Sequence, residues 1–303
     1  MAELKDETFS GKNVIPALAE IFQQLYLKPG EEGEALYQNI VSKGKDAPTK
    51  DLSHFKMNDK DTCGFEKTPA GPVRIVTLHE RADFEMFLQI MGEKCVPVKI
   101  PATQGAEIID GIVNHSKIQA HKDQFYAENP NAGFFGWADE LKKFQEDKRN
   151  YTEAMIILSA GAYSGIPASA AGFSEEEWID LSMSIRKYHE CTHFVCRRLF
   201  PDKISAVWDE LVADTIGLYG TFGRFEPDMA DLFLGISNGR YSGGRLENYV
   251  KDRSEDKMSE LAEKIHSIFM SFREICESNS GLAPFDMAVL LEKQQDVLEA
   301  GLK

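Results

Sequence analysis

The sequence lacks the features that mark a secreted, disulfide-stabilised or membrane-spanning protein. Its cysteines are few, odd in number and free of any Cys-x-x-Cys pair: Cys63, Cys95, Cys191, Cys196 and Cys276. Such scattered cysteines argue against a disulfide framework and against a thiolate zinc site. No stretch reaches the roughly 18 apolar residues of a transmembrane helix, and the first residues lack the apolar core of a secretory signal. We therefore expect a cytoplasmic protein without a membrane partner.

Basic residues are also in deficit. The chain has 34 Lys and Arg residues against 49 Asp and Glu residues, which gives a formal net charge of -15. Non-specific binding to nucleic acid requires clustered cations that neutralise phosphates. The charge balance therefore predicts that nucleic acid is not a partner, and we interpret the acidity as a source of ordinary solubility.

The length and composition are those of a folded protein with one large or two modest domains. The chain has 303 residues, of which 43% are hydrophobic, so each domain can bury a core. The pattern changes near residue 150. We predict an α+β protein in which residues 1–150 form an N-terminal α/β region and residues 151–303 form a mostly helical catalytic half.

The N-terminal region mixes helical and strand patterns. Apolar spacing predicts helices at 14–27, 35–41, 82–91 and 106–121, and strands at 72–78 and 95–101. Residues 42–72 are rich in Lys, Asp, Gly and Pro without periodicity, so we predict a long surface connection there.

The second half begins with a strand pattern, AMIILSAGAY, followed by a loop of small residues. Residues 174–200 then predict a long helix, because Ser174 and Glu177 have the spacing of a capping box and apolar residues recur at helical intervals. Pro201 ends this helix. A second helix is predicted at 205–219, and mainly helical structure follows Pro227.

A His-Glu-x-x-His motif lies inside the first of these helices. His189 and His193 are four residues apart, so both imidazoles lie on one face, one turn along. Two zinc ligands need this geometry, and a catalytic zinc site takes a third protein ligand while leaving one position for water. Glu190, beside the first histidine, is placed to act as the general base on that water.

The next predicted helix contains Glu210 and Asp214, which also share a face. Glu210 lies seventeen residues after His193, which leaves room for a turn and a second helix that packs back across the first. His189-Glu190-x-x-His193 followed by Glu-x-x-x-Asp resembles the gluzincin, thermolysin-like zinc metallopeptidases. The resemblance is limited to about residues 174–220.

The resemblance implies a zinc peptidase with one Zn2+ per chain and a peptide or protein as substrate. It makes Glu210 the third ligand, and Asp214 the acceptor for the ring of His189. It also implies that the strand before the active helix lies along the substrate, so that the groove is lined by Ala160, Gly161, Ala162 and Tyr163. The sequence departs from the family at Cys191, where a large aliphatic residue is usual; we interpret Cys191 as apolar packing.

The donor that would stabilise a tetrahedral oxyanion has no residue-by-residue match in the family pattern. The glycine-rich stretch NGRYSGGR supplies candidates for this role. We predict Tyr241 and Arg245 as catalytic residues, with Arg240 as a further candidate.

Other interpretations of these residues stay open. Glu190-x-x-His193 and Glu263-x-x-His266, together with Glu210 and a glutamate at 175–177, match the ligand set of a di-iron carboxylate oxidase. A catalytically inactive metal-binding module is another possibility. The simplest alternative is that these histidines and carboxylates are ordinary helix residues without a metal.

Overall fold

A computed structural model describes residues 8–203 and 205–299, and the chain divides into two compact units. The first contains the described residues up to Phe65 together with Val73–Ser159. The second contains Glu66–Pro72 and the described residues from Ala160 onward. All five cysteines are free and buried.

The first unit is built on a five-stranded mixed sheet with the strand order β1-β2-β3-β5-β4. β3 and β5 are parallel, and β4 runs antiparallel to β5 at one edge of the sheet. The strands are β1 Phe9–Ser10, β2 Thr62–Thr68, β3 Gly71–Leu78, β4 Ala106–Val113 and β5 Thr152–Ser159.

Five helices accompany this sheet: α1 Val14–Ile21, α2 Glu31–Lys43, α3 Arg81–Met91, α4 His115–Glu128 and α5 Phe134–Gln145. The core joins apolar side chains of α1 and α3 to those of the central strands, with Leu18, Phe84, Phe87, Val76 and Ile157 fully buried. The prediction that the N-terminal region combines helices with a β-sheet is thus confirmed.

Three sequence predictions in this unit are wrong. Residues 95–101, predicted as a strand, form no regular structure. Residues 106–121, predicted as one helix, contain β4 followed by the start of α4. Residues 42–72, predicted as a connection, contain β2, which a tight turn joins to β3; there Thr68 Oγ1 donates to the carbonyl of Gly71 and accepts from the amide of Ala70.

The second unit is mostly helical, which confirms the α+β class. Its helices are α6 Ala168–Ala171, α7 Glu175–Leu199, α8 Ala206–Phe222, α9 Pro227–Leu234, α10 Glu255–Ser278, α11 Pro284–Glu292 and α12 Gln295–Leu298. A two-stranded ribbon, β6 Ile236–Ser237 and β7 Arg240–Tyr241, lies between α9 and α10.

The long helix α7 begins at the predicted capping box. The Ser174 side chain accepts from the amide of Glu177, and the Glu177 carboxylate accepts from the amide of Ser174 at 3.2 Å. Glutamates fill the first turn and arginines the last, which complements the helix dipole. The helix ends at Leu199, two residues before Pro201.

The helix α8 packs against α7 through glycines. A Cβ atom at Gly220 would lie 2.5 Å from Cγ of Tyr188, and one at Gly217 would lie 3.1 Å from the carbonyl oxygen of Ile185. These two positions therefore let α8 approach α7 more closely than a larger residue allows. This approach positions the carboxylates of α8 next to the histidines of α7.

In the described part of the chain, every helix is too short or too polar to cross a lipid bilayer.

Candidate metal centre

The two histidines of α7 point their Nε2 atoms at each other. His189 Nε2 and His193 Nε2 are 3.0 Å apart, and their rings stand nearly perpendicular at 86°. Both residues are buried, with exposed fractions of 4% and 7%. The predicted helix face is therefore an interior face, and both imidazoles converge on one point.

Glu210, on α8, closes the group from the opposite side. Its Oε1 lies 3.5 Å from His193 Nε2, and its Oε2 lies 3.6 Å from His189 Nε2. One ligand atom from each residue falls within 4.8 Å of the other two, so the set can hold a metal ion. These are the three residues that the sequence predicts as metal ligands, and we call them the metal triad.

Asp214 lies one helical turn after Glu210 and faces the other side of the His189 ring. Its Oδ1 is 3.0 Å from His189 Nδ1, and the carboxylate is fully buried. A proton on Nδ1 leaves the Nε2 lone pair for a metal, because a neutral imidazole carries one N–H. The structure thus places Asp214 where the resemblance requires it.

Two further side chains surround Asp214. The Tyr163 hydroxyl donates to Asp214 Oδ1 at 2.7 Å and lies 2.7 Å from His189 Nδ1. Arg245 Nη2 donates to Asp214 Oδ2, and Nη1 donates to the Tyr163 hydroxyl at 3.3 Å. Arg245 Nη2 is also 3.9 Å from Glu210 Oε2.

The electrostatics of the group favour a cation. Burial acts to raise the pKa of Glu210, but hydrogen bonding to His193 and the charges of His189 and Arg245 hold it far below its usual range. Burial also acts to raise the pKa of Asp214, and the charge of Arg245 outweighs it, so this pKa is lowered. The two buried carboxylates are thus stabilised by Arg245 and by positive charge on the imidazoles, and a metal ion bound to the histidine nitrogens would supply that positive charge.

The raised pKa of His193 reflects the same preference for positive charge at this site. Burial acts to lower the pKa of His193, but hydrogen bonding to Glu210 and the charges of Glu210 and Glu190 raise it above the usual value. Glu190 itself is half-buried on α7. Its charge is one of the causes of the raised pKa of His193.

The predicted groove residues 160–163 lie immediately before Ser164, whose φ of +51° is in the left-handed region. Arg186 donates to the carbonyl oxygens of Gly161 and Ala162 at 3.3 and 3.1 Å. Ala160 is half-buried and Ala162 is exposed, whereas Tyr163 is 3% exposed and turns inward to Asp214.

The three predicted oxyanion donors, Tyr241, Arg240 and Arg245, differ in whether the structure brings them to the metal triad. The Tyr241 hydroxyl donates to the carbonyl of Gly244 at 3.0 Å and accepts from the Gly244 amide at 2.9 Å. Arg240 is exposed on β7. Only Arg245 of these three is brought to the metal triad.

Tyr249 is a site residue that the sequence analysis missed. It is half-buried, and Arg245 Cζ lies 5.9 Å from its ring centroid. Burial raises its pKa far above the usual value, and the charge of Glu210 and a hydrogen bond to Glu210 add to the rise. The phenol therefore stays protonated beside the triad. The signal in the sequence is its spacing, four residues after Arg245 on one short helical turn, Arg245–Tyr249.

The residues of the di-iron alternative are not gathered by the structure. His266 Nδ1 lies 2.6 Å from Asp231 Oδ2, and Glu263 is exposed on α10. The group of possible metal ligands in the described residues contains His189, His193 and Glu210 alone. Cys191 is fully buried, and burial raises the pKa of its thiol, in keeping with apolar packing.

Comparison with known proteins gives a family without an assigned activity. The model described as "Family of unknown function (DUF7005)" matches residues 7–283. Neither a search of curated proteins nor a search of solved structures found a match.

Proposed function

This chain belongs to the DUF7005 family, and we propose that it is a zinc-dependent peptidase in which Glu190 acts as the general base. The observation that carries the proposal is the convergence of His189, His193 and Glu210, with Asp214 behind the first histidine. Two helices supply the His-Glu-x-x-His and Glu-x-x-x-Asp residues in the arrangement that the gluzincin resemblance implies. The proposed substrate is a peptide or a protein.

The distances within the triad support zinc. In a tetrahedral site with Zn–N and Zn–O bonds of about 2.1 Å, neighbouring donor atoms are about 3.4 Å apart. In this chain the two imidazole nitrogens are 3.0 Å apart, Glu210 Oε1 lies 3.5 Å from His193 Nε2, and the other carboxylate oxygen, Oε2, lies 3.6 Å from His189 Nε2. Two imidazoles and one carboxylate are also the donor set of many catalytic zinc sites, in which a fourth position takes water.

The surrounding residues have chemistry suited to peptide hydrolysis. When bound, zinc would supply a Lewis acid that lowers the pKa of water and polarises the peptide carbonyl. Glu190 takes the proton of the attacking water and delivers it to the leaving amine. The protonated hydroxyl of Tyr249 donates to Glu210 in this structure, and we propose that it turns to the carbonyl oxygen when Glu210 binds the metal and negative charge develops on the substrate.

The test is cleavage of a peptide library by the purified full chain with zinc, with chelator, and after zinc is restored. We expect chelator-sensitive cleavage that zinc restores and one zinc per chain by metal analysis. Glu190→Gln should lower the rate by about 100-fold or more while keeping the zinc, since it removes the base and no ligand. Glu176→Gln, an exposed glutamate on the same helix, is the matched control and should behave as wild type.

The result that would overturn the proposal is cleavage by Glu190→Gln at the wild-type rate, or a wild-type chain that binds no zinc. Zinc binding without cleavage of any peptide would favour the inactive metal-binding module. Two irons per chain would favour the di-iron oxidase.

A further inference from the structure

Asp214 has more partners than the orientation of one histidine requires. Its Oδ1 receives the Tyr163 hydroxyl at 2.7 Å and lies 3.0 Å from His189 Nδ1, and its Oδ2 receives Arg245. The carboxylate is fully buried, so each of these donors offsets the cost of keeping its charge away from water. Asp214 is therefore held from both of its oxygens.

The hydrogen bonds are consistent with one tautomer of His189. The Tyr163 hydroxyl has a single proton, which Asp214 accepts, so it can only accept from His189 Nδ1 and from Arg245. His189 must then carry its proton on Nδ1. When the ring is neutral, this leaves the lone pair of Nε2 on the side of the metal triad, where His193 Nε2 lies 3.0 Å away.

Arg245 belongs to a segment whose backbone makes close contacts within the segment. In residues 235–249, the amide of Ser242 donates to the carbonyl of Gly235 at 2.8 Å, and the backbones of Gly235 and Gly243 approach so closely that a Cβ at Gly235 would lie 2.3 Å from the Gly243 carbonyl oxygen. Arg245 follows directly and reaches Asp214. This segment thus reaches the metal site through two side chains, the guanidinium group of Arg245 on Asp214 and the hydroxyl of Tyr249 on Glu210.

We infer that Tyr163 and Arg245 are positioning residues that hold Asp214 and His189 for the metal, and that Arg245 couples docking of residues 235–249 to metal affinity. The inference rests on the metal site of the proposed function, and it does not require peptidase activity. Coupling between two binding events is reciprocal. Docking of the segment strengthens metal binding, and a bound metal strengthens docking of the segment.

The test measures zinc affinity of the full chain by competition with a chelator, without any peptide substrate. Tyr163→Phe keeps the ring, which packs against Phe233 with centroids 4.7 Å apart, and removes only the hydroxyl. We expect it to weaken zinc binding by about tenfold, as loss of a ligand's hydrogen-bond partner does. Arg245→Gln should weaken it by up to about 100-fold, and Arg245→Lys, which restores the charge, should recover part of the loss. Arg253→Gln, an exposed arginine just beyond the segment, is the matched control.

The second measurement is amide hydrogen exchange over residues 238–249, with and without zinc, at a temperature at which circular dichroism shows each variant folded. Zinc should slow exchange there in wild type and in Arg253→Gln, and should have no such effect in Arg245→Gln. A merely structural role would change the melting temperature of the metal-free variants and leave their zinc affinity at the wild-type value.

Unchanged zinc affinity in both Tyr163→Phe and Arg245→Gln would overturn the inference, as would equal zinc protection of residues 238–249 in wild type and Arg245→Gln. A wild-type chain that binds no zinc would overturn this inference and the proposed function together. A wild-type chain that binds zinc with the expected variant effects but cleaves no peptide would support this inference and contradict only the proposed function.

Discussion

Among single residues, Glu210 is expected to have the most direct effect on the proposed metal binding, because it is the one residue that α8 contributes to the triad. We predict that Glu210→Gln weakens zinc binding by more than about 100-fold, beyond the loss typical of a ligand's neighbours. The neutral amide is a poorer donor and leaves the buried histidines without their negative partner. The check is a chelator-competition measurement on the folded variant.

The neighbouring Asp209→Asn is the control for Glu210→Gln. Asp209 is half-buried on the same helix, and burial raises its pKa. Asp209 is not one of the proposed ligands, although its charge acts on His193 and Glu210, so its variant should bind zinc nearly as wild type does. Equal losses in the two variants would mean that charge on α8, and not ligation by Glu210, governs metal binding.

Glu292 gives a prediction about pH. It is fully buried on α11 and accepts from Trp208 Nε1 at 3.0 Å, and burial raises its pKa from 4.5 to about 7. A carboxyl with a raised folded-state pKa contributes stability that is fully present below pH 4.5 and lost as pH rises through about 7. Glu292→Gln should remove this loss, which is at most about 3 kcal/mol.

The measurement is the free energy of unfolding in urea at pH 5 and pH 8. Glu292→Gln should be more stable than wild type at pH 8 and gain less at pH 5. Glu263→Gln, exposed on α10, should show no pH-dependent gain. A Glu292→Gln variant with the same pH dependence as wild type would show that Glu292 does not ionise in this range.

The residues of the site divide by whether local spacing places them. His189 and His193 are predictable because helical periodicity fixes their common face, and Glu210 and Asp214 are predictable for the same reason on the next helix. Glu190 is predictable from its place next to His189 in the motif. Tyr163 and Arg245 reach Asp214 from 51 and 31 positions away along the chain. Nothing local in the sequence indicates that Tyr163 turns inward, so it is predicted as a groove residue instead.

At the level of elements, the spacing of α7 and α8 determines whether the carboxylate meets the imidazoles. Gly220→Ala would place a methyl group 2.5 Å from Cγ of Tyr188, and such overpacking costs about 1–3 kcal/mol. The higher helix propensity of Ala relative to Gly offsets about 1 kcal/mol of this cost. We predict a net loss of up to about 2 kcal/mol in unfolding free energy and weaker zinc binding, measured by urea unfolding and chelator competition.

Gly136→Ala is the matched control for this substitution. Gly136 is exposed on α5, and an added Cβ would meet Ala132 at 3.5 Å, an ordinary contact. This variant should be as stable as wild type or more stable, by up to about 1 kcal/mol. Wild-type stability and zinc affinity in Gly220→Ala would show that α8 can move away from α7 without consequence for the site.

The wrong predictions among the strands have physical causes in the sheet. β4 contains a register shift between Ile109 and Ile112, and Gly111 has a φ of +75°. This irregularity breaks the two-residue alternation, so the apolar spacing imitates a helix. Apolar and polar residues do alternate in residues 95–101, but side chains of α3 bind two backbone carbonyls of this stretch. Gln89 donates to the carbonyl of Val98 at 2.6 Å, and Arg81 donates to the carbonyl of Pro101 at 2.7 Å.

At the scale of the whole molecule, the proposed metal site belongs to one of the two units. The triad, Asp214, Tyr163 and Arg245 all lie at or after residue 160, within the second unit. A metal bound at this site would therefore stabilise the folded state through contacts in the second unit alone. A ligand that binds only the folded state stabilises it by about 2.7 kcal/mol at a free concentration of about 100 times Kd.

We predict that zinc at this excess slows amide exchange in α7 and α8 by about 100-fold, where exchange requires opening of the second unit, because 2.7 kcal/mol is about a factor of 100 in an opening equilibrium. The amides of β3 and β5, whose ladder joins residues 74–78 to 155–159 within the first unit, should exchange at the same rate with zinc and with chelator. Glu210→Gln supplies the control, since zinc should then protect neither unit. Equal protection of α7, α8 and the β3–β5 ladder in wild type would contradict this prediction and show that both units open as one cooperative structure.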